Sequence, residues 1–181
     1  MTLLILGLIL WAFAHLAKRL VPGFHRSLKG AERPMVTGLL VVALVLMVVG
    51  YRAADGAVFW GRNAALVGIN NLLMLVSVYL FAASGMKTAL ARKMRHPMLT
   101  GVLVWSLAHL LVNGDTPSFV LFGGMALWAL AEIVVINRAV PHWTPPAAKP
   151  AKFEGMALAG TLVVYGAIVG VHYLLGYPTF G

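Results

Sequence analysis

The stretch "PMLTGVLVWSLAHLLVN", from Pro97 to Asn113, decides the fold class of this chain. It contains no Lys, Arg, Asp or Glu, and it approaches the roughly 20 apolar residues that an α-helix needs to cross a membrane. Five further apolar stretches have a similar or greater length: about Leu3 to Leu20, Pro34 to Tyr51, Ala64 to Met86, Ser118 to Asn137 and Gly155 to Tyr177. The pattern predicts an all-α membrane protein, a bundle of six transmembrane helices that forms a single domain over residues 1–181.

The composition excludes several other classes of protein. Hydrophobic residues make up 61% of the chain and charged residues only 10%, whereas about 25% of the residues of a soluble domain are charged. The net charge of +9 also occurs in nucleic-acid binders, but those proteins cluster Lys and Arg on one folded face. Here the basic residues lie between the apolar stretches, so we expect membrane lipid as a partner and no nucleic acid. The absence of cysteine excludes disulfides and thiolate ligands.

The basic residues also predict the orientation. Alternate loops, residues 18–34, 86–96 and 138–154, carry 12 of the 14 Lys and Arg residues, and only Arg52 and Arg62 lie on the opposite side. Because basic loops stay in the cytoplasm, both termini are predicted outside. The first apolar stretch precedes its charges, Lys18 and Arg19, so we interpret it as a retained helix rather than a signal peptide.

Few polar side chains fall within the predicted spans. A central charge there costs roughly 2.5 to 3.5 kcal/mol on insertion scales, so such residues are functional candidates. They are His15, Asn70, Asn71, His109, Glu132 and His172. We expect a polar cluster in the outer half, formed by Asn70, Asn71, Asn113 and His172. Glu132 is expected to contact His15, His96 or Arg95, or to remain protonated, while the loop residues His25 and His142 are expected to be solvated.

Two of these histidines share a local context. His15 lies in "WAFAHL" from Trp11 to Leu16, and His109 lies in "WSLAHL" from Trp105 to Leu110. Each Trp precedes its His by four residues, so both side chains occupy one helix face. A neutral histidine can bind haem iron or another transition metal, and the aromatic wall fits a macrocycle. The other interpretation, a histidine that only hydrogen-bonds a neighbouring helix, stays open.

The paired segments also suggest an inverted repeat of three plus three helices, because the two helices cross in opposite directions. Weaker support comes from "VVGYR" at 48–52 and "VVINR" at 134–138. Measured from Leu3 and Pro97, His15 and His109 each lie about 18 Å into the membrane, near its midplane. Measured from Asn113, however, His109 lies only about 6 Å from the outer face.

The segment "RHPMLTGVLVWSLAHLLVNGD" from Arg95 to Asp115, with "FGG" at Phe122 to Gly124, resembles the core signature of the NnrU family. The resemblance includes His15, "GAER" from Gly30 to Arg33, and "HYLLGYP" from His172 to Pro178, so it covers nearly the whole chain. The family is associated with nitric oxide and nitrite reduction in denitrifying bacteria. It includes the plant 15-cis-ζ-carotene isomerase, a haem b membrane enzyme.

The resemblance implies a haem b whose iron is bound by His15 and His109, the same histidines that the repeat selects. His96, at the His-Pro turn, is the substitute for His109. A cysteine ligand proposed for the isomerase has no equivalent here, which argues against that form of its mechanism. The haem propionates need cations, and the nearest basic residues are expected to be Arg19, Arg33 and Arg95. The predicted cofactor-binding residues are therefore His15, His109, His96, Trp11, Trp105 and Arg95, with His15 and His109 as metal ligands.

The leading functional hypothesis is a haem b protein of the bacterial inner membrane, with periplasmic termini, that serves nitric oxide or nitrite metabolism or a related redox task. One alternative is a carotenoid cis/trans isomerase, and another is a non-catalytic assembly or sensor protein. The ligand would be a small gas or an apolar polyene. The sequence does not identify the reaction, because it contains no nucleophile triad, carboxylate pair, phosphate loop or zinc signature.

Overall fold

A computed structural model describes residues 1–23 and 30–180, so the predicted loop residue His25 lies outside the described residues. The described chain is mostly helical, with helices at each of the six predicted stretches. They are α1 (Thr2–Leu20), α2 (Glu32–Arg52), α3 (Ala64–Met86), α5 (Pro97–Val112), α6 (Thr116–Ala139) and α7 (Lys152–Leu174), and a short α4 (Ala89–Lys93) precedes α5. Five of these helices are long and apolar enough to cross a membrane, whereas α5 is shorter. An apolar helical membrane protein is thus supported, and the count of six spans stays a prediction.

The helix ends follow local chemistry. The side chain of Asn63 accepts a hydrogen bond from Leu66 N (2.9 Å) and caps the start of α3, which satisfies one of its free N–H groups. Pro97 occupies the first turn of α5, where its missing N–H costs nothing. We predicted that the last span continues to Tyr177, but α7 ends at Leu174. Gly176 has φ +81 and Tyr177 N donates to His172 O (2.8 Å), a left-handed cap that stops the helix.

Two short strands depart from the all-α prediction. β1 (Val58–Trp60) pairs with β2 (Gly114–Asp115) in a two-stranded sheet. Periodicity could not indicate strands this short, because two or three residues carry no repeating pattern. Asp115 is the last residue of β2, and its side chain accepts a hydrogen bond from Ser118 N (2.9 Å) that caps α6. The first turns of α6 include a π-helical segment at Phe119–Gly123.

The described chain divides into two compact units. Unit 1 comprises residues 1–59 and 114–141 and contains α1, α2 and α6. Within it, α1 packs on α2 through glycines: a Cβ added at Gly50 would overlap the backbone of Leu4, and one at Gly7 would lie 2.8 Å from Met47 N. Small residues allow helices in a membrane to approach closely. The helices of unit 1 therefore depend on the absence of side chains at these two positions.

Unit 2 comprises residues 60–113 and 142–181. Its central helix is α3, which packs against both α5 and α7. Ser77 Oγ donates a hydrogen bond to Gly101 O (2.8 Å), and a Cβ at Gly101 would lie only 3.2 Å from Ser77 O. The close approach of α3 and α5 thus uses a small residue and a polar bond between helices.

The units do not follow the halves of the predicted repeat. A three plus three repeat places α1, α2 and α3 in one half, but α3 belongs to unit 2 and α6 to unit 1. The helix that carries His15 packs on α2, whereas the helix that carries His109 packs on α3. The repeat therefore stays a prediction that the helix packing does not itself support, and the single domain over residues 1–181 is likewise untested.

The surfaces of the helices are apolar. On α7, the side chains of Leu162 and Val163 are 63% and 72% exposed. Large exposed apolar surfaces of this kind are rare in soluble monomers, but they are expected of helices that face lipid tails. The helix lengths and their apolar surfaces together fit an integral membrane protein.

Candidate functional site

His15 has a defined orientation on α1. Its Nδ1 lies 3.0 Å from Trp11 O, and its ring centroid lies 4.6 Å from that of Trp11, with an angle of 40° between the planes. A carbonyl oxygen can only accept, so Nδ1 carries the proton in this bond. The lone pair of the neutral imidazole is then on Nε2, which makes no hydrogen bond to any residue in the described part of the chain. Nε2 is the atom available to a metal.

Trp128, on α6, completes the aromatic surroundings of His15. Its ring centroid lies 4.7 Å from His15 and 5.5 Å from Trp11, and the two indoles meet edge to face at 82°. Trp128 is only 8% exposed. We did not predict it, because Trp11 and Trp105 were selected by the histidine that follows each of them by four residues, and Trp128 has no such histidine. The available signal was its spacing: Trp128 lies one helix turn before Glu132, the only acidic residue in its span.

Glu132 forms an ion pair with Arg19. Arg19 Nη1 donates to Glu132 Oε1 at 2.8 Å, and the exposure of Glu132 is 6%. We expected His15, His96 or Arg95 as the contact of Glu132, and none of them hydrogen-bonds it within the described residues. Arg19 is the partner because it lies one turn after His15 on the face of α1 that packs on α6. The other carboxylate oxygen, Oε2, is buried without a hydrogen-bond partner among the described residues.

His109 has the same local geometry in unit 2. Its Nδ1 lies 2.9 Å from Trp105 O, and the two ring centroids are 5.0 Å apart at 51°. The proton is therefore again on Nδ1, which leaves the lone pair on Nε2. His109 lies in the last turn of α5, where its carbonyl accepts from Asn113 N and Asn113 Nδ2, each at 2.9 Å.

The four residues of the predicted outer polar cluster do not form one hydrogen-bonded network among the described residues. Asn70 Nδ2 donates to Asn71 Oδ1 (3.4 Å), and Asn71 Nδ2 donates to Thr179 O (2.9 Å). Asn113 instead bonds His109, and His172 Nδ1 donates to Ile168 O at 2.8 Å in its own helix. All four residues belong to unit 2, but within residues 60–113 and 142–180 no hydrogen bond joins His172 to the asparagines.

The remaining predicted residues lie near the start of α5. His96 is the N-cap residue, and its carbonyl accepts from Thr100 N and Thr100 Oγ1, each at 2.9 Å. Arg95 precedes it and is half-buried. His142 follows α6 in an extended segment and is exposed, as expected of a loop residue. His96 and Arg95 belong to unit 2, whereas His15 belongs to unit 1.

The donor set suits a haem better than a bare metal ion. Within the described residues, no group of three or more His, Cys, Asp or Glu side chains could hold a metal ion. A porphyrin supplies four nitrogens itself, so haem iron needs only one or two imidazoles from the protein. His15 in unit 1 and His109 in unit 2 could each supply one such imidazole, because the bond from Nδ1 to the tryptophan carbonyl leaves the lone pair on Nε2.

These features define a helical membrane protein with oriented histidines and a buried ion pair. The chain belongs to the NnrU family, since the family model described as "NnrU protein" matches residues 3–179. No curated protein and no solved structure matches the chain. The family predicted from the motifs around His15, His109 and His172 is thereby confirmed.

Proposed function

We propose that this protein binds haem b in the bacterial inner membrane and serves nitric oxide or nitrite metabolism or a related redox task. The observation that supports haem binding most directly is the shared geometry of the two Trp-x-x-Ala-His-Leu segments. In both, Nδ1 of the histidine bonds the carbonyl of the tryptophan four residues earlier. The nitrogen-oxide role rests on what the resemblance to the NnrU family implies, and the family model itself matches residues 3–179.

His15 and His109 are the residues that would hold the haem iron, each through Nε2. The bond from Nδ1 to a backbone carbonyl fixes the tautomer and orients the ring, and it increases the basicity of the ligating nitrogen. Trp11, Trp128 and Trp105 restrict how the imidazoles can rotate. When bound, the haem would supply an iron centre that exchanges one electron, and a small gas would bind it only in place of one of these histidines. His96 remains the substitute for His109.

The ion pair changes the proposed contacts of the propionates. Arg19 already compensates the buried charge of Glu132, so transferring it to a propionate would leave a carboxylate unpaired in a nonpolar site. Arg33 and Arg95 are therefore the proposed partners of the propionates.

An absorption spectrum of the detergent-purified protein tests this function. Protein from haem-replete cells is expected to show a Soret band and, after reduction with dithionite, the α and β bands of low-spin haem b. A spectrum without these bands in protein that is folded by circular dichroism would exclude the haem function and favour an assembly or sensor role. If haem is present, incubation with 15-cis-ζ-carotene separates a redox protein, which leaves the polyene unchanged, from an isomerase.

A further inference from the structure

Buried polar atoms without partners are concentrated beside His15. Seven buried side-chain nitrogen or oxygen atoms in the described residues make no hydrogen bond, and three of them belong to Trp11, Trp128 and Glu132. Such atoms are uncommon in folded proteins, because a polar group removed from water loses free energy unless a hydrogen bond replaces its solvation. Their occurrence in one packed cluster of unit 1 suggests a shared cause.

Trp11 and Trp128 contact each other and His15, and Glu132 lies one helix turn after Trp128. The indoles of Trp11 and Trp128 meet edge to face with centroids 5.5 Å apart, and both contact the His15 ring. Glu132 follows Trp128 by one turn on the buried face of α6. Its Oε1 is occupied by Arg19, which follows His15 by one turn on α1. The three unpaired atoms therefore belong to neighbouring residues on two packed helices, α1 and α6.

The chemistry of the three atoms specifies their ligand. Each indole Nε1–H can only donate a hydrogen bond, and a carboxylate oxygen can only accept one. A molecule that satisfies all three must carry lone pairs that accept from the indoles and a hydrogen that it donates to Glu132 Oε2. A purely anionic ligand would be repelled by the carboxylate, and an apolar gas could form none of these bonds. A neutral molecule with a hydroxyl group meets every requirement.

Arg19 provides a polar route to the cluster. It lies in the last turn of α1, and its side chain is 33% exposed, whereas Glu132 is almost completely buried. The partly exposed guanidinium therefore connects the buried Glu132 to the surface at the end of α1.

We propose that Trp11, Trp128 and Glu132 form a binding site for a small hydroxyl-bearing molecule, of which water is the smallest. Its oxygen accepts from the two indole N–H groups, and its hydroxyl hydrogen is donated to Glu132 Oε2. The site lies beside the ring of His15 and does not require a haem. Its occupancy can therefore be tested independently of haem binding.

The test is nuclear magnetic resonance of the full chain in detergent micelles, labelled with ¹⁵N at the tryptophan indoles. Trp11→Phe and Trp128→Phe assign the two signals. Both Nε1 atoms are buried, so bulk water does not reach their protons. Cross-peaks between these protons and water are nevertheless expected, with the sign of a direct Overhauser effect rather than of chemical exchange. Indole protons that exchange slowly and show no such cross-peaks, with or without methanol, would overturn the proposal.

Glu132→Gln is the matched variant, because it keeps the shape and replaces the accepting Oε2 with a donating amide. Its water cross-peaks are expected to weaken several-fold, whereas Glu32→Gln, in the first turn of α2, should leave them unchanged. Unaltered cross-peaks in folded Glu132→Gln protein would contradict the assigned geometry.

Titration with methanol identifies the molecule that occupies the site. Chemical shifts of the two indole signals that change and saturate with methanol show that the site also binds small alcohols. Signals that do not shift but keep their water cross-peaks show that it binds water alone.

Discussion

At the scale of single residues, one hydrogen bond decides what the membrane histidines can do. In an α-helix the carbonyl of residue i−4 lies beside the side chain of residue i, and His15, His109 and His172 all donate Nδ1–H to that carbonyl. The proton is thereby placed on Nδ1 by a partner within the histidine's own helix. Each histidine is consequently held by its own helix in the tautomer that has the lone pair on Nε2.

The first prediction concerns the ligands. His15→Ala and His109→Ala are each expected to abolish or strongly shift the Soret band, because each removes a proposed Nε2 ligand. The matched control is His142→Ala, which replaces an exposed histidine of the extended segment and should leave the spectrum unchanged. Normal spectra in both single variants would end this ligand assignment, and a change in His96→Ala instead of His109→Ala would transfer the ligand role to the His-Pro turn.

The second prediction concerns the ion pair. Arg19→Met leaves the 6% exposed carboxylate of Glu132 without its cation, and breaking a buried pair in this way costs about 3 kcal/mol. The partial exposure of Arg19 makes a smaller loss the expectation here. The double variant Arg19→Met/Glu132→Met should recover most of that loss, because no unpaired charge remains. Thermal unfolding in detergent measures both, and a double variant less stable than Arg19→Met would contradict this account.

At the scale of helices, close packing depends on a few glycines. α1 and α2 approach each other at Gly7 and Gly50, where any Cβ would meet backbone atoms that cannot move aside. α6 is positioned on α1 in a related way, since a Cβ at Gly124 would lie 2.8 Å from a methyl carbon of Leu8. Because Trp128 and Glu132 lie on α6, this packing brings them against the face of α1 that carries His15.

The third prediction compares two glycines of α2. Gly50→Ala would place a methyl group 2.8 Å from Leu3 C, and overpacking of this kind costs about 1 to 3 kcal/mol. Gly38→Ala meets nothing within 4 Å, so it should be neutral or stabilise by about 0.5 to 1 kcal/mol through helix propensity. The midpoint of thermal unfolding should therefore fall for Gly50→Ala and hold or rise for Gly38→Ala. Equal midpoints would show that α1 and α2 are not in close contact.

At the scale of the whole molecule, charge and apolar surface predict how the chain sits in a membrane. The loops at 18–34, 86–96 and 138–154 hold 12 of the 14 basic residues. Cytoplasmic retention of Lys and Arg then gives each helix a direction. In that orientation Arg19 and Glu132, at the ends of α1 and α6 that adjoin basic loops, belong to the cytoplasmic half.

The fourth prediction tests that orientation. A reporter that is active only in the cytoplasm, inserted after Arg92, is expected to give signal, whereas the same reporter after Gly61 should be silent. A reporter active only in the periplasm should give the reverse pattern at both positions. Silence of the cytoplasmic reporter after Arg92, with the fusion protein present in the membrane, would refute the predicted topology.

The sequence by itself determined the helices and the local state of the histidines. Apolar length is a property of each segment alone, so the six stretches and most of their ends were predictable. The spacing of Trp11 from His15, and of Trp105 from His109, likewise acts within one helix. The family membership could be predicted from the same motifs.

Only the tertiary structure decided which residues surround those histidines. Arg19 and Glu132 are 113 positions apart, and no pattern along the chain indicates which face of α6 packs on α1. For the same reason, Trp128 was not predicted. It also explains why the grouping of α3 and α6 was not predicted: a three plus three repeat groups α3 with α1 and α2, but α6 shares their unit instead. Helix formation depends on neighbours in sequence, whereas helix pairing depends on the fit of side chains across a surface, which apolar composition leaves undetermined.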